Sequence, residues 1–170
     1  MSKAFGVLLA VVVVVSGASA HALLYHAEFP LAGTQEVPPN ASAATGLGTV
    51  DYDDATNTLS WSITHSALSS SPTAAHFHGP APAGVNAGIQ LTLDHTANPI
   101  AGLAVITNTQ EADLLNELWY ANIHTAPWPG GEIRGQVVGF TLVGGDAPVP
   151  EPTGLGLLGL GLFALRRRRR

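Results

Sequence analysis

The 170-residue chain contains no cysteine. That absence removes disulfides, thiolate zinc sites, iron–sulfur clusters, blue-copper centres and cysteine nucleophiles together. Basic residues are nearly as scarce once the ends are set aside. Lys3 and Arg166 to Arg170 are six of the seven, and between His21 and Pro150 only Arg134 is basic, against eleven acids. One positive against eleven negative charges leaves that segment at −10, a balance that repels phosphate backbones and excludes nucleic acid as a partner. There is no Gly-x-Ser-x-Gly elbow, no phosphate-binding glycine loop and no His-Glu-x-x-His helix, so no catalytic constellation emerges, although a metalloenzyme needs none of these motifs. Apolar residues make up 46% of the chain, but the excess sits at the two ends, in AFGVLLAVVVVV and GLGLLGLGLFAL. The middle reads as one soluble domain.

The ends read as addresses. Lys3, an apolar run from Val7 to Val15 and the small-x-small tripeptide Ala18-Ser19-Ala20 predict a signal peptide over 1–20, cut by signal peptidase between Ala20 and His21. The run is too short for a membrane span of about 20 residues. Residues 144–152 form a Gly/Pro linker ending in Pro150-Glu151-Pro152. Residues 153–170 add a short apolar segment, predicted as a hydrophobic helix, and five arginines, which hold the C-terminus on the cytoplasmic side. This order describes a transient stop-transfer anchor and resembles a PEP-CTERM sorting signal. The resemblance implies recognition by an exosortase in a Gram-negative bacterium, removal of the tail and delivery to the outer envelope or extracellular matrix, with exopolysaccharide or envelope components as partners. The alternative is an ordinary C-terminal membrane anchor, and both place the domain outside the cytoplasm.

Between the addresses, residues 21–143 alternate short Thr-, Val-, Ile- and aromatic-rich runs with Gly, Pro, Asn and Asp clusters. HAEFPLA predicts a first strand, and TGLGTVDY with NTLSWSITHS a hairpin turning at DDAT. AAHFHG, GIQLTLD and IAGLAVIT predict three more strands, LWYANIH another and IRGQVVGFTLV the last. NTQEADLLNELW carries the one helical signal, with Asn108 or Thr109 as cap and Leu114, Leu115 and Leu118 as an apolar stripe. Seven or eight short strands predict an all-β fold, an antiparallel Greek-key sandwich or barrel of superoxide-dismutase-like or Ig-like type with one short helix.

Three pieces, LAGTQEVPPN, AAHFHGPAPAG and LWYANIHTAPWPGGEIRGQV, together resemble the CHRD (chordin-type) domain over Ala27 to Val138. The resemblance implies an extracellular β domain without an assigned catalytic activity. A weaker likeness, of fold only, is to copper/zinc superoxide dismutases, which also set a His-x-His on a strand of a Greek-key barrel. The chain lacks their cysteines and their zinc loop, so dismutase activity is not implied.

His76 and His78 flank Phe77, so on a strand both imidazoles face one way. His124 ends YANIH, where Tyr120, Asn122 and His124 share a face. Convergence of the three gives the ligand set of many copper and zinc sites with an open position, and His65 is a candidate fourth. The competing reading is structural, with neutral histidines at strand ends bonding to loop carbonyls. His95 reads as an exposed loop residue. After cleavage His21 becomes N-terminal, where amine and imidazole can chelate copper. Arg134 shares a face with Glu132 and is expected to form a structural ion pair with it, or with Glu36. Asp51, Asp53 and Asp54 lack the glycine and the bidentate glutamate of a calcium loop and read as a turn. Two functions follow: a non-catalytic extracellular binding or structural module, or a copper- or zinc-binding protein, redox-active in the copper case.

Overall fold

A computed structural model describes residues 23–144. The predicted signal peptide with its Ala20/His21 cleavage point, the Pro150-Glu151-Pro152 motif and the tail lie outside the described residues. Among the described residues no helix is long and apolar enough to cross a membrane.

The first three strands follow from alternation. In β1 (Leu24–Ala32) the side chains of Ala27, Phe29 and Leu31 are buried and those between them are not. β2 (Thr45–Asp53) and β3 (Thr58–Ser66) extend it as an antiparallel meander. Their turn is built as expected of the aspartates: Asp53 Oδ1 accepts the backbone N–H groups of Ala55 and Thr56, and Asp54 Oδ1 accepts that of Leu23. β4 (Pro72–His78), β5 (Ile89–Thr92) and β6 (Ile100–Val105) follow. The helix α1 spans Asn108–Leu115 and is capped one residue earlier than expected, by Thr107. Thr107 Oγ1 accepts the Gln110 N–H while Gln110 Oε1 accepts that of Thr107, a capping box that Thr109, with Ala112 three positions on, cannot form.

β7 (Tyr120–Thr125), β8 (Ile133–Gln136) and β9 (Thr141–Gly144) complete the fold. The single last strand expected from IRGQVVGFTLV is therefore two. Its ends both lie along β1, Arg134 opposite Ala32 and Thr141 opposite His26, but the chain leaves the ladder between them where Gly139 turns at φ 78°. The Gly139 N–H is taken by Glu117 Oε1 at 2.7 Å.

All pairings are antiparallel, in the order β5-β4-β7-β8-β1-β2-β3-β6, with β9 on β1. This is an all-β fold with crossovers of Greek-key kind, since β3 to β4, β5 to β6 and β6 to β7 each jump across the sheet. The sheet curls on itself: the Trp61 ring on β3 meets Phe77 on β4 edge-on at 5.7 Å, although four strands separate them in the order. Phe77 also packs on buried Trp119 at 6.0 Å. Around them Phe29, Val50, Leu59, Ile63, Ile123 and Ile133 fill the core. β5 and β6 close the order at its two ends and do not pair with each other, leaving the barrel open on that side.

Candidate metal centre

The site lies on the face of β4, β7 and β8 that points away from this core. Ala75 and Phe77 take the inward positions of β4, and Ala121, Ile123 and Thr125 those of β7. Period two then sends His76, His78, Tyr120, Asn122, His124, Arg134 and Gln136 outward together. Register fixes their rows: His78, Tyr120 and Gln136 lie side by side, as do His76, Asn122 and Arg134. An outward face of a sheet is ordinarily wet, yet Asn122, Arg134 and Gln136 are all buried. The segments that cover it are those containing the sequence motifs: Gln35 Oε1 accepts the Gln136 N–H, holding the loop after β1 to β8, and Asn86 Nδ2 donates to Val37 O, tying the loop after β4 to the loop after β1.

His76, His78 and His124 each offer one ring nitrogen within 4.8 Å of the others, the one cluster of three metal-ligating side chains found among the described residues. His78 Nδ1–H donates to Ala87 O at 3.0 Å, and His78 Nε2 is buried with no partner. His124 Nδ1–H donates to Pro129 O at 3.0 Å, leaving its Nε2 as an acceptor. His76 Nδ1–H then donates to that Nε2 at 3.2 Å. Nitrogens bound at 2.0–2.1 Å to one tetrahedral ion stand about 3.3 Å apart, so this pair already has the spacing of two ligands. The two backbone carbonyls fix the tautomers as second partners of metal-ligating histidines do. Burial, with the neighbouring imidazoles, lowers the pKa of His76, and burial likewise lowers that of His78, outweighing the carbonyl of Ala87. Both effects favour the neutral, ligating form.

Tyr120 braces the cluster. Its ring stacks on His78 at 5.0 Å and 6°, and the Arg134 guanidinium carbon lies 3.4 Å from the ring centroid. Because β4 and β8 flank β7 on opposite sides, the phenol is held between them. The Tyr120 hydroxyl accepts the N–H of Ala87, the residue whose carbonyl orients His78.

His65 does not join the cluster. It shares the parity of Trp61 and Ile63, which point into the core, and so leaves β3 on the other side of the sheet from the three imidazoles. It lines a separate cavity of ≈ 370 Å³ with His95, which is half-buried rather than exposed. The expected ion pair of Arg134 with Glu132 does not form either. β8 begins at Ile133, so Glu132 sits on a bend outside the alternation, where its carboxylate accepts from Ser42 Oγ, Thr125 Oγ1, Ser69 Oγ and Ser69 N. Burial pushes the Glu132 carboxyl up, but these hydrogen bonds outweigh it and hold it below the usual range. Arg134 instead donates to Val85 O, Asn86 Oδ1 and Gln136 Oε1.

Sequence reasoning named Glu36 only as a candidate partner of Arg134 and did not place it with Asn122. Glu36, in the first motif, is 5% exposed; its Oε2 accepts from Asn122 Nδ2 at 3.3 Å, while its Oε1 and Asn122 Oδ1 have no partner. Burial raises the Glu36 pKa to about 7, against the attraction of Arg134 and the Asn122 hydrogen bond. Gly131, at φ 132°, lies over both residues; a Cβ there would stand 2.5 Å from Glu36 Oε1 and 2.6 Å from Asn122 Oδ1. A glutamate in a proline-rich motif and an asparagine between two ligand-bearing rows were the available signals, and only tertiary contact joins them.

The CHRD domain family model matches residues 27–137, which contain all three motifs and every residue of this face. The PEP-CTERM protein-sorting motif matches residues 148–170. No curated protein and no solved structure matches the chain. The sorting motif implies export and processing by a membrane-associated exosortase of Gram-negative bacteria. The chain belongs to the CHRD domain family and carries an exosortase sorting signal behind the domain.

Proposed function

We propose that this protein is an exported metal-binding domain in which His76, His78 and His124 hold one copper or zinc ion with a coordination position left open. The observation that supports the reading is the set of three imidazole nitrogens within 4.8 Å, with the Nδ1 protons of His78 and His124 committed to carbonyls, which leaves their Nε2 atoms as the ring nitrogens with a lone pair to give. A bound ion with an open position supplies Lewis acidity, or electron transfer in the case of copper. Its hold on His78 and His124 also ties Ala87 and Pro129, so the same ion pins the two covering loops. That stiffening serves a non-catalytic binding or structural module in the outer envelope or matrix, with exopolysaccharide or envelope material as its partner. No nucleophile and base pair in the sequence favours a hydrolytic role over this one.

The test is metal uptake by the purified full chain, stripped of metal and titrated with zinc or copper(II) at micromolar concentration. Stoichiometric binding is expected, with loss in His76→Ala and His124→Ala and retention in His65→Ala. Absence of uptake, or equal uptake by the His76 and His124 variants, refutes the reading.

A further inference from the structure

Beside the histidine cluster, the segments 36–40 and 127–131 enclose a second concavity of ≈ 430 Å³, inside the range of about 300–1,000 Å³ typical of small-molecule sites. It is built rather than incidental. Asn40 Nδ2 donates to Gly131 O and Glu132 O, tying one wall to the other at 3.2 and 3.0 Å. The Trp128 carbonyl accepts the N–H groups of Thr125 and Gly131, and its own N–H goes to Thr125 O, so the loop that presents the indole is pinned at three points. Proline residues at 38, 39, 127 and 129 supply the remaining walls, which lose little conformational entropy when a ligand seats.

The chemistry of the lining selects a class of ligand. Trp128 offers a half-buried aromatic ring on which no aromatic or cationic side chain of the described residues stacks. Glu36 sets a buried carboxyl behind the lining, its Oε1 unpartnered under Gly131, where its charge is felt through the wall. No basic residue lines the cavity. Arg134 opens instead into a neighbouring cavity of ≈ 270 Å³, which Glu36 also lines, and three of its N–H groups are taken by Val85, Asn86 and Gln136. Asn40 is spent as well, on the two carbonyls and on the Ser42 N–H. A neutral polyol would find, apart from the Trp128 indole N–H, almost no side-chain donor for its oxygens. An anion would meet a carboxylate in a domain of net charge −10. A positive group with apolar substituents finds an aromatic face, a negative carboxylate and rigid apolar walls, the combination that recognises alkylammonium ions.

We propose that the cavity between Trp128 and Glu36 binds a small organic cation of the alkylammonium class. The site stands apart from the metal reading, because none of its ligand-facing groups is an imidazole, although Pro129 serves both as a wall here and as the acceptor of His124 Nδ1–H.

The experiment is calorimetric titration of the metal-free full chain with choline at pH 8, beside the neutral isostere 3,3-dimethyl-1-butanol and beside methyl glucoside. Saturable choline binding with a Kd of about a millimolar is expected, since one cation–π contact and one partly screened ion pair carry no more. Trp128→Ala weakens it about five- to thirtyfold, Trp128→Phe keeps most of it, and Glu36→Gln, an isosteric change, weakens it about fivefold or more. The neutral isostere binds at least about fivefold more weakly than choline. Overturning results are no saturation by about 50 mM choline, far above the Kd such contacts allow, equal binding of the isostere, preferred binding of the glucoside, or an unchanged choline Kd in Trp128→Ala or in Glu36→Gln.

Discussion

Glu36→Gln isolates a single buried carboxyl. In the folded protein burial lifts the Glu36 pKa from an ordinary 4.5 to about 7, so the native state holds this proton more tightly than the unfolded chain does. At about 1.4 kcal/mol per pH unit, the difference amounts to about 3 kcal/mol as an upper figure. Below pH 4.5 both states are protonated and the full native contribution is present. As pH rises the unfolded chain releases its proton first, so stability falls through the interval and levels off above the folded value near 7. Glutamine has the same shape and no charge, and its Nε2–H can donate to the orphaned Asn122 Oδ1. The variant is therefore expected to match the parent at pH 4 and to exceed it by about 2–3 kcal/mol at pH 8.

Urea unfolding of the metal-free parent and variant, repeated from pH 4 to pH 8, measures the difference directly. All other titrating groups are common to both proteins and cancel in the comparison. A parent-to-variant difference that stays flat over this range refutes the buried-carboxyl account. A parent that gains on the variant as pH rises would show that Arg134 and Asn122 win over burial, and that Glu36 is an ordinary ionised partner.

Glu132 carries the opposite expectation. Its carboxylate satisfies four donors in a buried setting, so Glu132→Ala, which leaves Ser42, Ser69 and Thr125 unmatched, is expected to cost about 3–4 kcal/mol in urea unfolding at pH 7. Because its folded pKa lies below the usual range, its contribution is present above the ordinary carboxyl value and is lost as pH falls through the folded one, the reverse of Glu36. Loss of less than about 1 kcal/mol would mean that water replaces the cage. For the sorting signal, deletion of Pro150 to Arg170 is expected to abolish proteolytic processing of the tail and to release the domain to the medium, as followed by immunoblot of membrane and medium fractions; an unchanged distribution counts against exosortase sorting.

What was legible in the sequence was what a period of two governs. The first strand, the β2–β3 hairpin with its DDAT turn and the common direction of His76 and His78 follow from local alternation and turn residues, and the structure has them. The helix was legible too, although its cap slipped by one residue, since Thr107 with Gln110 and Asn108 with Glu111 both fit a capping box and the local sequence does not choose between them. Alternation failed where a strand boundary or the strand order mattered. Glu132 and Arg134 were given a common face by applying the alternation one residue before the strand begins. His65 was grouped with the other histidines because each ends a strand, but its parity is that of the core while theirs is the reverse. That β4 pairs with β7, and not with β3, is a property of the sheet order, and no local pattern encodes it.

The same order explains why three separate stretches of sequence carry the family's character. β4, β7 and β8 lie side by side only after two crossovers, and the loops at 33–40, 79–88 and 126–131 then cover one outward face. A fold seeking stability alone would leave such a face wet or line it with apolar side chains, because burying Asn122, Arg134, Gln136 and Glu36 costs free energy wherever a polar atom goes unmatched. Unmatched atoms remain at Glu36, His78 and Asn122. They are the places where the domain has an unmet demand for a proton, an ion or a donor. On the proposed reading, the lone pair of His78 Nε2 would go to an ion shared with His76 and His124. Glu36 and Asn122 present two acceptors to whatever brings hydrogen or positive charge. The core of the domain explains why it folds, and this covered polar layer is the part that folding does not explain.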